Sequence, residues 1–148
     1  MRLQILNEIF AIRKVERLDA SLLDAAWLFL GKTDREISVV CPVGHAPADA
    51  LARSDGWRAF RVAGELDFGL TGILAELSAV LAAANIPIFA VSTFDTDYIL
   101  VREERFAEAR SALSRAGHTL EPASRREPEA GAVTSPWPDD PDEGGDLC

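Results

Sequence analysis

The stretch DFGLTGILAELSAVLAAANIPIFAVSTFDTDYILV, Asp67 to Val101, decides how the rest of the chain is read. Leu70, Ile73, Leu74, Leu77, Val80, Leu81 and Ala84 recur at the three-and-four spacing of a helix that buries one face. Asp67 is positioned to cap its start, and Asn85 followed by Pro87 supplies the stop. Ile86 to Ser92 is a short apolar run suited to a strand covered on both faces. Phe94-Asp95-Thr96-Asp97 has turn chemistry, and Tyr98 to Val101 resumes β-branched and aromatic composition. Helix, strand, turn and strand in that order form the middle of a βαββαβ unit.

Working outward, Ile9 to Val15 reads as a first strand, with Phe10, Ile12 and Val15 facing inward around Arg13 and Lys14. Leu18 to Ala26 is a short helix or an irregular link, with Asp19 or Ser21 as its cap. Trp27–Lys32 and Glu36–Cys41 form a hairpin around Thr33-Asp34-Arg35, and Pro42 ends it. Ala46 to Ser54 reads as a short helix stopped at Gly56, Trp57 to Val62 as a strand, and Gly64 to Asp67 as the lead into the central helix. After Asp97, Glu103 to Ala116 carries Phe106, Ala109, Leu113 and Ala116 on one helical face, with Gly117 as cap and Thr119-Leu120 as a short last strand. Strand, helix, hairpin, helix therefore occurs twice, the first time weakly. This order predicts an α+β fold of two ferredoxin-like units side by side.

The chain has 148 residues, 48% hydrophobic and 26% charged, enough for one domain or two small ones sharing a core. Its formal charge is −9, with 24 acidic side chains against 15 Lys plus Arg, which argues against nucleic acid or an anionic membrane as partner. Beyond Glu121, Pro, Glu, Ser, Gly and Asp dominate and periodicity vanishes; 122–148 reads as a disordered acidic tail in which Trp137 is the conspicuous apolar group. Cys41 and Cys148 make no disulfide framework, no secretory leader is evident at the N-terminus, and no three-residue prenylation tail follows Cys148. No apolar run approaches the ~18–20 residues of a membrane span. The expected address is the cytoplasm.

No catalytic set is legible. His45 and His118 read as exposed or capping groups, Cys41 as a small core residue, and no Cys/His spacing makes a zinc site. Glycines near the helix start lack the dinucleotide and phosphate-loop patterns. Neither enzyme activity, a metal nor a cofactor is expected.

IPIFAVSTFDTDYILVRE (Ile86 to Glu103), with LDFGLTGILAEL (Leu66 to Leu77), resembles the paired-ACT-domain proteins related to the cytosolic arginine sensors of animals. ISVVCP (Ile37 to Pro42) and GWRAFRVAGELDF (Gly56 to Phe68) are similar to small bacterial members, and the second half is more distantly similar to the regulatory end of aspartate kinases. The resemblance implies tandem ACT modules with antiparallel sheets and helices on one face. It divides the chain into an abbreviated module at 1–56, a second at 57–121 and the tail. It further implies a non-catalytic regulator that binds a free amino acid or similar ligand where modules meet and acts on a regulated protein. Those sensors carry twice as many modules, so a homodimer of this chain would rebuild their arrangement.

Carried over position by position, the resemblance places ligand contacts at Asp67, Phe68, Gly69, Gly72, Ile73 and Leu74 in the loop and first helical turn. Thr93, Phe94 and Asp97 follow from the strand end and turn. The sensors have an acidic residue where this chain has Leu70, a departure that bears on guanidinium selectivity. Chemically, a helix start offers unpaired N–H groups and a positive dipole end to a carboxylate. Gly69 and Gly72 permit close approach, Asp97 suits an ammonium, and Ile73 and Phe94 would wall the pocket. Each also has a plain structural role: Asp67 as cap, Asp95 and Asp97 as turn residues, Gly72 in packing, Ile73 and Phe94 in the core. The alternative function is an ACT-fold interaction scaffold without a ligand pocket.

Overall fold

The structure, a computed structural model, describes residues 1–63 and 72–123. Asp67, Phe68, Gly69, Leu70 and the stretch 124–148 with Trp137 lie outside the described residues. Strands β1 (Arg2–Ile5), β2 (Phe10–Val15), β3 (Phe29–Lys32), β4 (Ile37–Pro42), β5 (Ala52–Val62), β6 (Ile88–Ser92), β7 (Asp97–Arg102) and β8 (Thr119–Pro122) form one sheet. Helices α1 (Ile73–Ala83) and α2 (Phe106–Arg115) complete the fold. Every pairing is antiparallel except β1 with β8.

Strand β5 is the spine. Trp57 pairs with Phe10 of β2 on one side and Arg102 of β7 on the other; Phe60 likewise lies between Ile5 of β1 and Ile99 of β7. Strands β2 and β1 thus lie end to end along one edge of β5. The first half of the chain gives the order β5-β2-β4-β3, the second half β8-β1-β5-β7-β6. Each is a βαββαβ strand order, and the two share β5 and admit β1 as an extra strand between β5 and β8.

The helical layer belongs to the second half. Leu77 and Leu81 of α1 and Ala109 and Leu113 of α2 are buried against Phe60, Val62, Ile99 and Val101. Both helices end in the same device. Asn85 (φ 57°) and Gly117 (φ 98°) adopt the left-handed conformation, while Ile86 N–H donates to the Leu81 carbonyl and His118 N–H to that of Leu113. The expected stops at Asn85 and Gly117 have this physical basis.

The first half departs from expectation. Instead of a helix over Ala46 to Ser54 there is a short 3-10 turn at Val43–His45, an irregular stretch, and β5 from Ala52. Alanine-rich composition lost to tertiary hydrogen bonds: Leu51 N–H donates to the Lys14 carbonyl, Arg13 to that of Pro47 and Arg53 to that of Ala48. Gly56 (φ 82°) stops no helix; it is the extra residue of a β-bulge, since Phe10 opposes Trp57 while Ala11 opposes Asp55. Residues 18–26 contain only a 3-10 turn, Ala20–Asp24, which Asp19 caps by accepting from Ser21 N–H. Strand β1 was not anticipated. Strand β6 is an edge strand with exposed Ala90 and Ser92, not a strand covered on both faces.

On the sheet face away from the helices, Leu6, Phe10, Val40, Trp57, Ala59, Tyr98 and Leu100 form a second core with half-buried Trp27, Phe29, Phe89 and Val91. Phe29 of β3 meets Tyr98 of β7 edge to face at 4.9 Å, although three strands separate β3 from β7 in the sheet. The sheet is therefore curled, with β3 turned back toward the β7-β6 edge.

Candidate functional site

Strand register fixes where the turn stands. Arg61 opposes Tyr98, and the buried Thr96 hydroxyl donates to the Val62 carbonyl at 2.8 Å, so the β6–β7 turn is fastened to the end of β5 from which the chain leaves for α1. Ile99 and Val101 pack with Leu77 and Leu81. Asp97, two residues before Ile99, shares that face by strand alternation. The start of α1 and the Asp97 carboxylate accordingly lie at the same end of the sheet and on its helical side.

At that start, Gly72 is the N-cap residue, with φ 82° and no side-chain capping bond among the described residues; its carbonyl accepts from Glu76 N–H at 2.9 Å. The first-turn N–H groups follow it, pointing out of the helix end. Ile73 and Leu74 are half-buried and pack against the helix–sheet core. Of the residues singled out in sequence, the structure brings Gly72, Ile73, Leu74, Thr93 and Asp97 to one end. Phe94 stands at the turn, 46% exposed. Asp67, Phe68 and Gly69 fall outside the described residues.

Two residues were missed. Ser92 faces Asp97 across the hairpin and donates its hydroxyl to Oδ1 at 2.6 Å, orienting the carboxylate. Thr96 is the buried fastener. Thr93 closes the turn by donating both N–H and hydroxyl to the Thr96 carbonyl, at 2.9 and 3.1 Å. The hydroxyls of Ser92 and Thr96, close to Asp95 and Asp97 in sequence, were the available signal; the sequence places Ser92 at a strand end and Thr96 in turn chemistry.

His118 corrects another expectation: it is 5% exposed rather than a surface group, because the residue after the left-handed cap folds inward beside the helix. Glu76 Oε1 lies 3.8 Å from its Nε2, and neither ring nitrogen makes a hydrogen bond. Cys41 is wholly buried, and burial pushes its thiol above the ordinary value, with Arg13 nearby opposing the shift. Among the described residues no three His, Cys, Asp or Glu are grouped to hold a metal ion. No described helix is long and apolar enough to cross a membrane.

With this geometry established, known proteins fall into place. The ACT-domain profile matches residues 52–115, from β5 to the end of α2. Protein Atu0741 from Agobacterium tumefaciens superposes with a TM-score of 0.75 and 31% identity, over 86% of this chain and 97% of that one. This chain belongs to the ACT-domain family. The human cytosolic arginine sensor for mTORC1 subunit 1 is 37% identical over 73 residues, 47% of this ACT chain but only 22% of the sensor. The chain thus spans about a fifth of the length of that curated relative. Aspartate kinase from Clostridium acetobutylicum, an allosteric enzyme, shares the fold at a TM-score of 0.54 with 11% identity, over 77% of this chain and 33% of the kinase. The tandem ferredoxin-like architecture anticipated from sequence is the architecture observed.

Proposed function

We propose that this ACT protein is a non-catalytic, cytoplasmic regulator that binds a free amino acid or similar small ligand and thereby changes the behaviour of a partner protein. The observation that carries the reading is the shared end and face of Asp97 and the start of α1. A free amino acid needs both an anion site and a cation site, because a buried charge left unpaired costs several kcal/mol. The N–H groups after Gly72 suit its carboxylate. Asp97, oriented by Ser92, suits its ammonium. The arginine sensor named above supports the amino-acid class, and Leu70, where the resemblance implies an acidic residue, gives a guanidinium no partner at that position.

The functional units in this reading are an abbreviated module at 1–56, a complete one at 57–121, and an acidic tail at 122–148, with β5 physically common to both modules. The ligand sits at a module interface of a homodimer, and binding shifts the protein between two arrangements of its modules. Thermal-shift screening against the common amino acids tests this: at least one raises the midpoint in the parent, and Asp97→Ala abolishes the response while the unliganded midpoint stays within a few degrees. Absence of any response at millimolar amino acid, with an ACT control responding, overturns it.

One observation favours a second reading. Among the described residues strand β6, Ile88-Phe89-Ala90-Val91-Ser92, pairs only with β7 and forms a sheet edge without a single charge or internal proline, and such edges recruit other strands. An interaction scaffold would use that edge with no small ligand at all. It predicts partner binding insensitive to Asp97→Ala.

A further inference from the structure

Helix α2 carries a cluster that the amino-acid reading leaves unused. Arg110, Ser111, Ser114 and Arg115 stand one, three and one residues apart, a spacing that puts all four on one side of the helix. With His118 and Thr119, the first residue of β8, they line a cavity of about 830 Å³. Strands β1 and β5 separate β8 from the β7 that carries Asp97, so the cavity lies apart from that carboxylate. The chain as a whole has a charge of −9, yet none of the lining residues is acidic; two are arginines and three carry hydroxyls.

Arg115 has an ordinary reason to be there. It donates to the Ser111 carbonyl at 3.4 Å, and its charge complements the carbonyl end of α2. Arg110 has none: it is exposed, stands five residues before the helix end, and makes no hydrogen bond, ion pair or ring contact among the described residues. His118 is the second signal. Its side chain is 2% exposed, and neither ring nitrogen has a hydrogen-bond partner. Glu76, 3.8 Å from Nε2, is not among the lining residues. In either tautomer the ring has an N–H to give, and a buried donor left without an acceptor calls for one.

We propose that this cavity binds a phosphate or pyrophosphate group, free or at the end of a small phosphorylated metabolite. The planar guanidinium forks of Arg110 and Arg115 match phosphate oxygens two at a time. The hydroxyls of Ser111, Ser114 and Thr119 donate to the oxygens that remain. The His118 nitrogens are covered in the unliganded chain; a turn of the ring toward the cavity it lines gives its N–H an acceptor once the anion is seated. An α-ammonium would meet no carboxylate among the lining residues, so a free amino acid does not suit this cavity. The inference goes beyond the amino-acid reading and stands without it.

Calorimetric titration of the full chain with inorganic phosphate, pyrophosphate, ADP and acetate at low salt tests this. Pyrophosphate or ADP binds the parent at one site per chain, roughly tenfold or more tighter than acetate, and Arg110→Gln and His118→Leu each weaken that binding by a similar factor. His118→Leu does so while holding or raising the unliganded unfolding midpoint, which a merely structural lesion would lower. ADP binding more tightly than pyrophosphate identifies the phosphate of a metabolite; the reverse identifies the free anion. Acetate binding as tightly as pyrophosphate, binding indifferent to both variants, or no binding at millimolar concentration overturns the assignment. Loss in Arg110→Gln alone also overturns it, since surface charge without His118 then accounts for the attraction.

Discussion

Arg13 and Asp55 face each other across β2 and β5 as a two-pronged ion pair, Nε to Oδ1 at 3.3 Å and Nη2 to Oδ2 at 3.0 Å. The remaining guanidinium nitrogen donates to the Pro47 carbonyl at 2.7 Å. The Arg13 side chain is 8% exposed and that of Asp55 33%. One arginine therefore ties the irregular stretch before β5 to the sheet. Removing one partner of a fully buried pair costs about 3–5 kcal/mol; with Asp55 partly wetted, Arg13→Met is expected to cost about 2–3 kcal/mol in urea unfolding. Arg13→Met combined with Asp55→Asn recovers part of that loss, because no lone carboxylate remains.

Two glycines with equal room for a side chain should respond oppositely. A Cβ at either Gly56 or Gly31 meets nothing within 4 Å, but Gly56 has φ 82° in the β5 bulge and Gly31 has an ordinary strand conformation. Gly56→Ala is expected to destabilise by about 1–2 kcal/mol through backbone strain alone. Gly31→Ala is expected to be neutral or stabilising by up to about 0.5 kcal/mol, since alanine restricts the unfolded chain. Chemical denaturation of both variants under the same conditions checks the contrast.

This pair also shows what the sequence can and cannot express. Gly56 announces a break in periodicity, but helix stop and β-bulge look alike until the partner strand is known. Residues 46–54 carry helix-favouring alanines, and bonds to Arg13 and Lys14, more than thirty residues earlier, override them. Strand β1 was invisible because Arg2–Ile5 gains its identity from β5 and β8, both distant in sequence. By contrast α1, α2, the two hairpins and the helix stops are local patterns, and they were legible. The candidate site divides the same way: Asp97 and Gly72 stand in local motifs, whereas the places of Ser92 and Thr96 depend on register.

Cys41 offers a pH test. Burial is the main reason its thiol sits above the ordinary 9.0, with the Arg13 charge opposing and Asp55 adding to the shift. The native thiol stays protonated where the unfolded chain's thiol has begun to ionise. Its contribution to stability is therefore complete below about pH 9 and lost as pH rises toward the raised native value. Cys41→Val should flatten the alkaline decline in unfolding midpoint relative to the parent. In a Cys148→Ser background, thiol labelling at pH 7.5 should be slow in the native protein and fast in urea.

Thr96 links hairpin and spine through one buried bond, 2.8 Å to the Val62 carbonyl. Thr96→Val keeps the shape and leaves that carbonyl without its donor, an expected loss of about 1–2 kcal/mol. Because the bond fastens the turn that carries Asp97 to the end of β5, the proposed amino-acid binding, measured by calorimetry, should weaken as well. Thr96→Ser, which restores the donor, should recover binding before it recovers full stability.

His118 presents the reverse case. Its ring is buried, with Glu76 of α1 nearby, both nitrogens lack hydrogen bonds, and Glu76 at 3.8 Å is too distant to satisfy Nε2. Replacing an unsatisfied polar group with an apolar one of similar volume removes a desolvation cost without opening a cavity. The neighbouring core, including Leu113 and Leu120, is already hydrocarbon. His118→Leu is therefore expected to stabilise the protein by about 1 kcal/mol in urea unfolding at pH 7.5. His118→Ala, which removes the same polar atoms but leaves a void, should destabilise by about 1–2 kcal/mol. If both variants destabilise equally, the imidazole is contributing a polar interaction, and its place beside Glu76 rather than its volume explains why histidine stands there.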